Sequence, residues 1–309
     1  MPAVSVIVLV YKAEGYIARC ARSLFGQSLE DMEYIFVDDC SPDRSMDVLD
    51  RVLDGYPRRR SQVKILRNEV NLGQALSRQK GVEAASGRYI IHCDSDDYVD
   101  TDIYAKLYAK ATEENLDMVI CGVKRIRQGV EETIPEKLGA ADLMGALLSS
   151  DLHHFLVNKL VCREAYEKGV QFPKGNMCED TAIVIQLAYN CKSHGYVYED
   201  LYYYDQRPES TSFAKDTVDK FSQIKLNADL VLSFLDSKGL SLKYAREIVR
   251  FKCWVKSTAF NLPRRYYAEA FPEVNFAFVL DRRFSVMERL GHITKLLGIH
   301  GLSRLIKKK

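Results

Sequence analysis

The sequence has no long apolar run. No stretch approaches the roughly 18 residues of a membrane-crossing helix, which argues against an integral helical membrane protein. A basic leader is missing ahead of the first apolar stretch, MPAVSVIVLVY, and no small-residue cleavage site follows it, so the stretch reads as a first strand and not as a signal peptide. There is no charge excess either: Lys plus Arg number 44, Asp plus Glu 42, and the net charge is +2. Dedicated nucleic-acid binding calls for a basic surplus, so no nucleic-acid partner is expected. The eight cysteines contain no CxxC pair, which removes the common redox and zinc spacings. Most sit in apolar surroundings such as YIIHC and MVIC and read as reduced core cysteines of a cytosolic protein. Both common phosphate loops are absent. Without a GxxxxGKS/T stretch or a GxGxxG after the first strand, a P-loop NTPase and a dinucleotide-dependent dehydrogenase are disfavoured.

What is present is the composition of a folded protein, 47% hydrophobic and 28% charged over 309 residues. At roughly 150 residues per domain, that is two domains or one with an appendage. The first 125 residues alternate strand and helix. VSVIVLV (4–10), EYIFVDD (33–39), VKILRNE (63–69), RYIIHCDSDD (88–97) and DMVICGV (117–123) read as strands, the first a near-continuous β-branched run as in a strand buried on both faces. Helices are expected at 14–27, 43–54, 71–87 and 103–114, giving right-handed βαβ units and a parallel sheet. Beyond residue 125 the rhythm breaks: 128–139 reads as a loop or edge hairpin, 140–151 and 179–192 as helix, and 197–207 as an aromatic strand. From about residue 215 amphipathic helices dominate, including 218–239 and 245–262. The expected organisation is an α/β domain over 1–214, split near residue 125, and a helical extension over 215–309.

Ligands of an open parallel sheet bind outside the carboxyl ends of its strands. Strand two ends on Asp38 and Asp39, and strand four on Asp94, Ser95, Asp96 and Asp97. If the two strands are near each other, five carboxylates share one edge. Two like charges about 4 Å apart repel by about 4 kcal/mol at an effective dielectric of about 20. A divalent cation would relieve that conflict, and oxygen-only ligands favour Mg²⁺ or Mn²⁺, ions that also hold substrate phosphates. A strand-to-helix cap is the competing reading of DSDD.

Taken together, VSVIVLVYKAEGYIARCARSLFGQS, EYIFVDDCSPDRS, RNEVNLGQALSRQKGVEAASGRYIIHCDSDD and the later MCEDTAI resemble a family 2 glycosyltransferase with the GT-A fold, over most of residues 4–214. The resemblance implies an α/β, mostly parallel, Rossmann-like sheet flanked by helices, with the helical extension outside it. It also implies roles. Tyr11 would lie against the nucleobase, Glu14 near the nucleoside, and Asp39 with its neighbour Asp38 would accept a hydrogen bond from a uracil-type N–H. Arg78 would contact the nucleotide, with Lys80 in the same basic stretch. Asp94-Ser95-Asp96 matches the family's D-x-D: Asp94 would face the ribose or sugar and Asp96 the metal, with Asp97 a second candidate ligand. Glu179-Asp180 matches the family's E-D pair, whose Asp is the general base. The stretch 202–212, with Arg207 and Ser210, is similar to a segment that closes over the donor; a surface loop packed by aromatics is the competing reading. His153 and His154 precede a segment similar to one lining the acceptor side and read as a structural pair. The sequence departs from the family pattern at Leu9, Lys12, Cys40, His92 and Cys93, none of which removes a carboxylate the mechanism needs.

The implied activity is a metal-dependent inverting transfer of a hexose-type sugar, with Mn²⁺ or Mg²⁺, from a UDP-linked donor to a glycan or lipid-linked glycan in surface polysaccharide assembly. A metal neutralises the diphosphate leaving group and a carboxylate takes the acceptor's proton. One base suffices for a single displacement. Two alternatives stay open at this level: a sugar nucleotidyltransferase and a non-catalytic nucleotide- or glycan-binding module. The tail, LGHITKLLGIHGLSRLIKKK (290–309), carries five bases and no acid, with apolar residues near helical spacing. It reads either as a basic amphipathic helix on an anionic membrane or as a packing helix with a frayed basic end. A cytoplasmic protein, peripheral at the inner membrane face, is the expected setting.

Overall fold

A computed structural model of the chain describes residues 1–137, 139–207, 216–280, 282 and 285–298, and the statements below concern these. The amino-terminal alternation is β1 (Val4–Val10), α1 (Ile17–Phe25), β2 (Met32–Asp38), α2 (Ser45–Asp54), β3 (Val63–Arg67), α3 (Gln74–Ala84) and β4 (Tyr89–Asp94). β1 lies between β2 and β4, parallel to both, with Val10 beside Asp38 and Leu9 beside Asp94. Every β1 residue but Leu9 is buried, which is why the strand is β-branched on both faces. α3 crosses β1 and β2 at Gly81, where a Cβ would come within 2.5 Å of Ile7 Cγ2. The absent side chain lets the helix sit directly on the sheet.

The next elements are the two-residue β5 (Tyr98–Val99), α4 (Ile103–Glu113), β6 (Met118–Arg127) and β7 (Val130–Thr133). β7 folds back antiparallel on β6, so residues 128–139 include a hairpin arm at the sheet's edge. α5 (Leu143–Leu148), β8 (Lys159–Cys162), α6 (Arg163–Glu167), α7 (Glu179–Asn190) and β9 (His194–Asp205) complete the sheet half. The strand order is β3-β2-β1-β4-β8-β6-β9-β5. Here the structure corrects the expected run of βαβ units. The strand over 117–123 does not join β4 directly: β8 is inserted between them, antiparallel to both. β6 keeps the direction of β4 and pairs parallel with β9 across a bulge at Gly122.

The remaining helices are α8 (Val218–Ser237), α9 (Ala245–Thr258), α10 (Arg264–Glu269), α11 (Asn275–Leu280) and α12 (Val286–Leu297). α8 packs on α7, and α9 on α5 and α8. Ile224, Val231 and Leu235 of α8 and Phe251 and Val255 of α9 share one buried cluster with the sheet. A smaller cluster of Phe221, Ala259, Leu262, Tyr267 and Ala270 holds α10 against α8 and α9. The basic tail falls largely outside the described residues: α12 covers its start, while Arg304 and Lys307 to Lys309 lie beyond, as does Ser210. No described helix is long and apolar enough to cross a membrane. Five of the eight cysteines are buried, Cys178 and Cys191 are half-buried, and Cys40 is exposed.

Candidate active site

The parallel pairing brings the ends of β1, β2 and β4 to one edge, where a cleft of about 1430 Å³ opens between them, the start of α7 and the faces of α8 and α9. Tyr11, Asp39, Arg78, Asp94, Ser95, Asp96 and Asp180 line it. Glu14, Asp38 and Asp97 do not. Glu14 is exposed, and its Oε2 accepts from the Arg44 amide at 3.1 Å. Asp38 accepts from the Ser41 amide at 2.9 Å and so closes the turn after β2. Asp97 is buried beneath the cleft floor, accepting from Tyr202 Oη at 2.6 Å and the Asp205 amide at 2.9 Å.

Asp39 lines the cleft with its carboxylate already engaged. It accepts from Asn68 Nδ2 at 2.8 Å, the Leu72 amide at 2.7 Å and the Gly73 amide at 2.9 Å. These bonds fasten the loop between β3 and α3. Gly73 turns that loop at φ +83°, where a Cβ would come within 2.3 Å of Asn176 Nδ2. The β3–α3 loop thereby abuts the segment leading into α7.

Asp94, Asp96 and Asp97 each present a carboxylate oxygen within 4.8 Å of the others. Burial pushes Asp94 up to about 7, with Asp96 and Asp180 adding to the rise and Arg78 opposing it. Burial raises Asp96 as well, against the pull of Arg207. Asp97 is raised well above the ordinary range by burial and by the two neighbouring carboxyls. Hard oxygen donors that repel one another in a partly desolvated pocket fit a divalent cation. Arg207 supplies positive charge now: it pairs with Asp96 Oδ2, and its guanidinium carbon sits 3.5 Å from the Tyr16 ring centroid.

Across the cleft, Glu179 and Asp180 form the first turn of α7, after Cys178 in a left-handed conformation at φ 58°. Arg78 reaches over from α3, with Nη2 3.2 Å from Glu179 Oε1 and 3.4 Å from Asp180 Oδ1. It is 3% exposed and committed to these two acids. Burial and then Asp180 push Glu179 up to about 8 against the pull of Arg78. Asp180 Oδ2 accepts from the Leu156 amide at 3.4 Å, while its buried Oδ1 has no hydrogen-bond partner.

The sequence reading missed the helical part of the third wall and took His153 and His154, which also line the cleft, as a structural pair. Lys220 and Ile224 of α8 and Trp254, Ser257 and Thr258 of α9 line the cleft, together with His153, His154 and Phe155. In the sequence these helices show only amphipathic spacing, which marks a buried face and says nothing of which residues overlook a ligand.

The sequence model described as Glycosyl transferase family 2 matches residues 5–169. The uncharacterized glycosyltransferase EpsJ of Bacillus subtilis is 34% identical over 140 residues, which is 45% of this chain but only 39% of EpsJ. Glycosyltransferase GlyG of Streptococcus pneumoniae is 25% identical over 270 residues, 81% of this chain and 87% of GlyG. Among solved structures, residues 1–349 of Staphylococcus aureus TarS in complex with UDP superpose with a TM-score of 0.68 at 19% identity, covering 99% of this chain and 92% of that one. Motif order, sheet topology and family match agree, and the chain belongs to glycosyl transferase family 2, with the GT-A fold.

Proposed function

We propose that the cleft transfers a sugar from a nucleotide donor, UDP-linked, to a hydroxyl of a glycan or lipid-linked glycan, with divalent-metal dependence and inversion at the anomeric carbon. One observation carries this reading. An oxygen-only acidic cluster and the carboxylate of Asp180, held by its ion pair with Arg78, face the same cleft from opposite walls. The TarS structure with UDP supports the choice of nucleotide.

Asp94 and Asp96 would hold Mn²⁺ or Mg²⁺, with Asp97 beneath them contributing charge and its remaining lone pairs. The ion, when bound, neutralises the diphosphate and so improves it as a leaving group. Tyr11, 44% exposed at the end of β1, offers its ring to the base. Ser95 offers its hydroxyl on the donor side. Asp180 takes the proton of the attacking hydroxyl, and its position in the first turn of α7 favours the ionised carboxylate that a base must be before the reaction. With one base across from the leaving group, the displacement occurs once and the configuration inverts. Arg78 positions Asp180 instead of touching the nucleotide.

The setting that fits a lipid-linked acceptor is the cytoplasmic face of a membrane, in assembly of surface polysaccharide. The test is a thermal-shift panel of UDP, GDP, CDP and dTDP, each with and without Mn²⁺, since a ligand that binds only the folded state raises its melting temperature. A metal-dependent shift with UDP, lost in Asp96→Ala, is expected. Asp180→Ala should keep the shift and lose transfer; normal transfer by that variant would remove Asp180 from the role of base.

A further inference from the structure

Glu136 lies outside every motif above and His153 was read only as structural, yet they form a built pair at the segment that bonds to Asp180. The Glu136 side chain is 1% exposed. Its Oε1 faces His153 Nδ1 at 3.1 Å and accepts from the His153 amide at 3.3 Å, and its Oε2 accepts from Asn158 Nδ2 at 3.2 Å. A carboxylate at Nδ1 holds the proton there and leaves Nε2 as an acceptor. The imidazole stacks on Phe155, centroids 5.0 Å apart and planes within 4°. Behind them the fully buried Lys159 donates from Nζ to the carbonyls of His153 at 2.9 Å and Phe155 at 2.8 Å. Two residues of the 153–156 segment are thus tied from below, and the same segment gives its Leu156 amide to Asp180. On its other side the His154 ring meets the indole of Trp254 at 5.7 Å. One fixed stretch of backbone therefore joins the proposed base, an oriented imidazole and an aromatic wall, and all of them line the cleft.

We infer that this end of the cleft is the acceptor subsite and takes a pyranose. Trp254 packs against the ring's C–H face, and His153 Nε2 accepts from one of its hydroxyls, with Glu136 as the positioning residue. The assignment rests on the proposed transfer chemistry for its direction. A pyranose has a flat apolar face and a rim of neutral donors, which is the complement of an indole beside a hydroxyl-accepting nitrogen. Ser257 and Thr258, one turn beyond Trp254, add hydroxyls to the same wall. With the charges of Glu136 and Asp180 so near, a neutral hydroxyl fits at His153 better than an anionic group.

Trp254 is the chain's one tryptophan, so indole fluorescence reads this subsite directly. The full-length protein, saturated with UDP and Mn²⁺, is titrated with the methyl pyranosides of glucose, galactose, mannose and N-acetylglucosamine, with ribitol and glycerol 3-phosphate as non-pyranose probes. A saturable emission change is expected with at least one pyranoside. Its dissociation constant should rise at least about fivefold in Glu136→Gln and in His153→Ala, and recover in part in His153→Gln, which keeps an acceptor oxygen. The UDP-induced thermal shift should not move in any of the three. No response to any pyranoside, a response only to the non-pyranose probes, or equal affinities across the variants would overturn the subsite. Loss of the UDP shift in the wild type would instead sink the donor reading, so the two failures are distinguishable.

Discussion

Arg78 Nη2 stands 3.4 Å from Asp180 Oδ1, a charge from the nucleotide-side helix set against the acid proposed as base. Its second partner, Glu179, prevents rotation toward solvent. Both contacts run from Nη2 at the tip of the guanidinium, a position the shorter lysine side chain does not reach. Arg78→Lys is predicted to lower turnover by roughly tenfold while UDP affinity stays within about threefold, the loss expected for one charged hydrogen bond. Arg78→Ala, which strands the buried Glu179 and the half-buried Asp180, should cost about 3–5 kcal/mol in urea unfolding. Loss of UDP binding in Arg78→Lys with turnover intact would restore the nucleotide-contact role that the family pattern implies.

Asp94 and Glu179 titrate near neutrality because burial raises them to about 7 and about 8. A carboxyl raised in the folded state binds more protons there than in the unfolded chain, so stability falls as pH climbs between the two values. For Glu179 that window runs from the ordinary 4.5 to about 8. Metal-free protein should melt at lower temperature at about pH 8 than at about pH 5.5, and Glu179→Gln should flatten the slope. Parallel melting curves for wild type and variant would show that Glu179 does not titrate in this range.

Asp39 and Asp38 are adjacent in the sequence and unequal in the structure. Asp39 accepts three hydrogen bonds, two of them from backbone amides of the β3–α3 loop. Asp39→Ala should destabilise the fold by about 2–4 kcal/mol, whereas Asp38→Ala, which loses one turn bond, should cost about 1 kcal/mol. Chemical denaturation of the two variants decides between them.

A metal held by Asp96, as proposed above, would have to compete with Arg207, whose guanidinium already occupies Oδ2. Arg207→Ala should tighten Mn²⁺ binding in the absence of nucleotide, by severalfold in isothermal titration calorimetry. Weaker Mn²⁺ binding in the variant would mean that Arg207 orders the site instead of screening it.

The charge balance of the chain conceals a division. Residues 275–309 hold eight bases against two acids, a net +6, which leaves −4 on residues 1–274 of a chain whose total is +2. In the same region Phe276, Leu280, Val286, Met287 and Leu290 are exposed. Apolar side chains beside excess positive charge suit an anionic bilayer surface. The full chain should co-sediment with phosphatidylglycerol vesicles and not with phosphatidylcholine ones, and Phe276→Asp with Leu280→Asp should reduce recovery. Equal recovery in the supernatant with both vesicle types would exclude the contact.

The amino-terminal strands were legible because burial on both faces forces continuous apolar runs, as in Val4–Val10. β8 was not, since four residues, Lys159–Cys162, are too short for any period and begin on a lysine whose burial is satisfied by the carbonyls of His153 and Phe155 and by Asn158 Oδ1. The acids at the sheet edge could be read from strand ends alone. Their different uses could not, because Asp38 closes a local turn while Asp39 and Asp97 accept from amides and a hydroxyl contributed from distant positions. The pair Glu136 and His153 leaves no local trace, being 17 residues apart across a loop and a helix.

Because α8 and α9 share a continuous apolar seam with α7 and the sheet, exchanging them as a cassette between family members would transplant a cleft wall and a load-bearing interface at once. Chimeras joined near residue 214 should fold only when the donor helices bring side chains that match Ile183, Val184 and Leu187 on the recipient. Any change in that wall of the cleft is therefore tied to the repacking of the chain's interior.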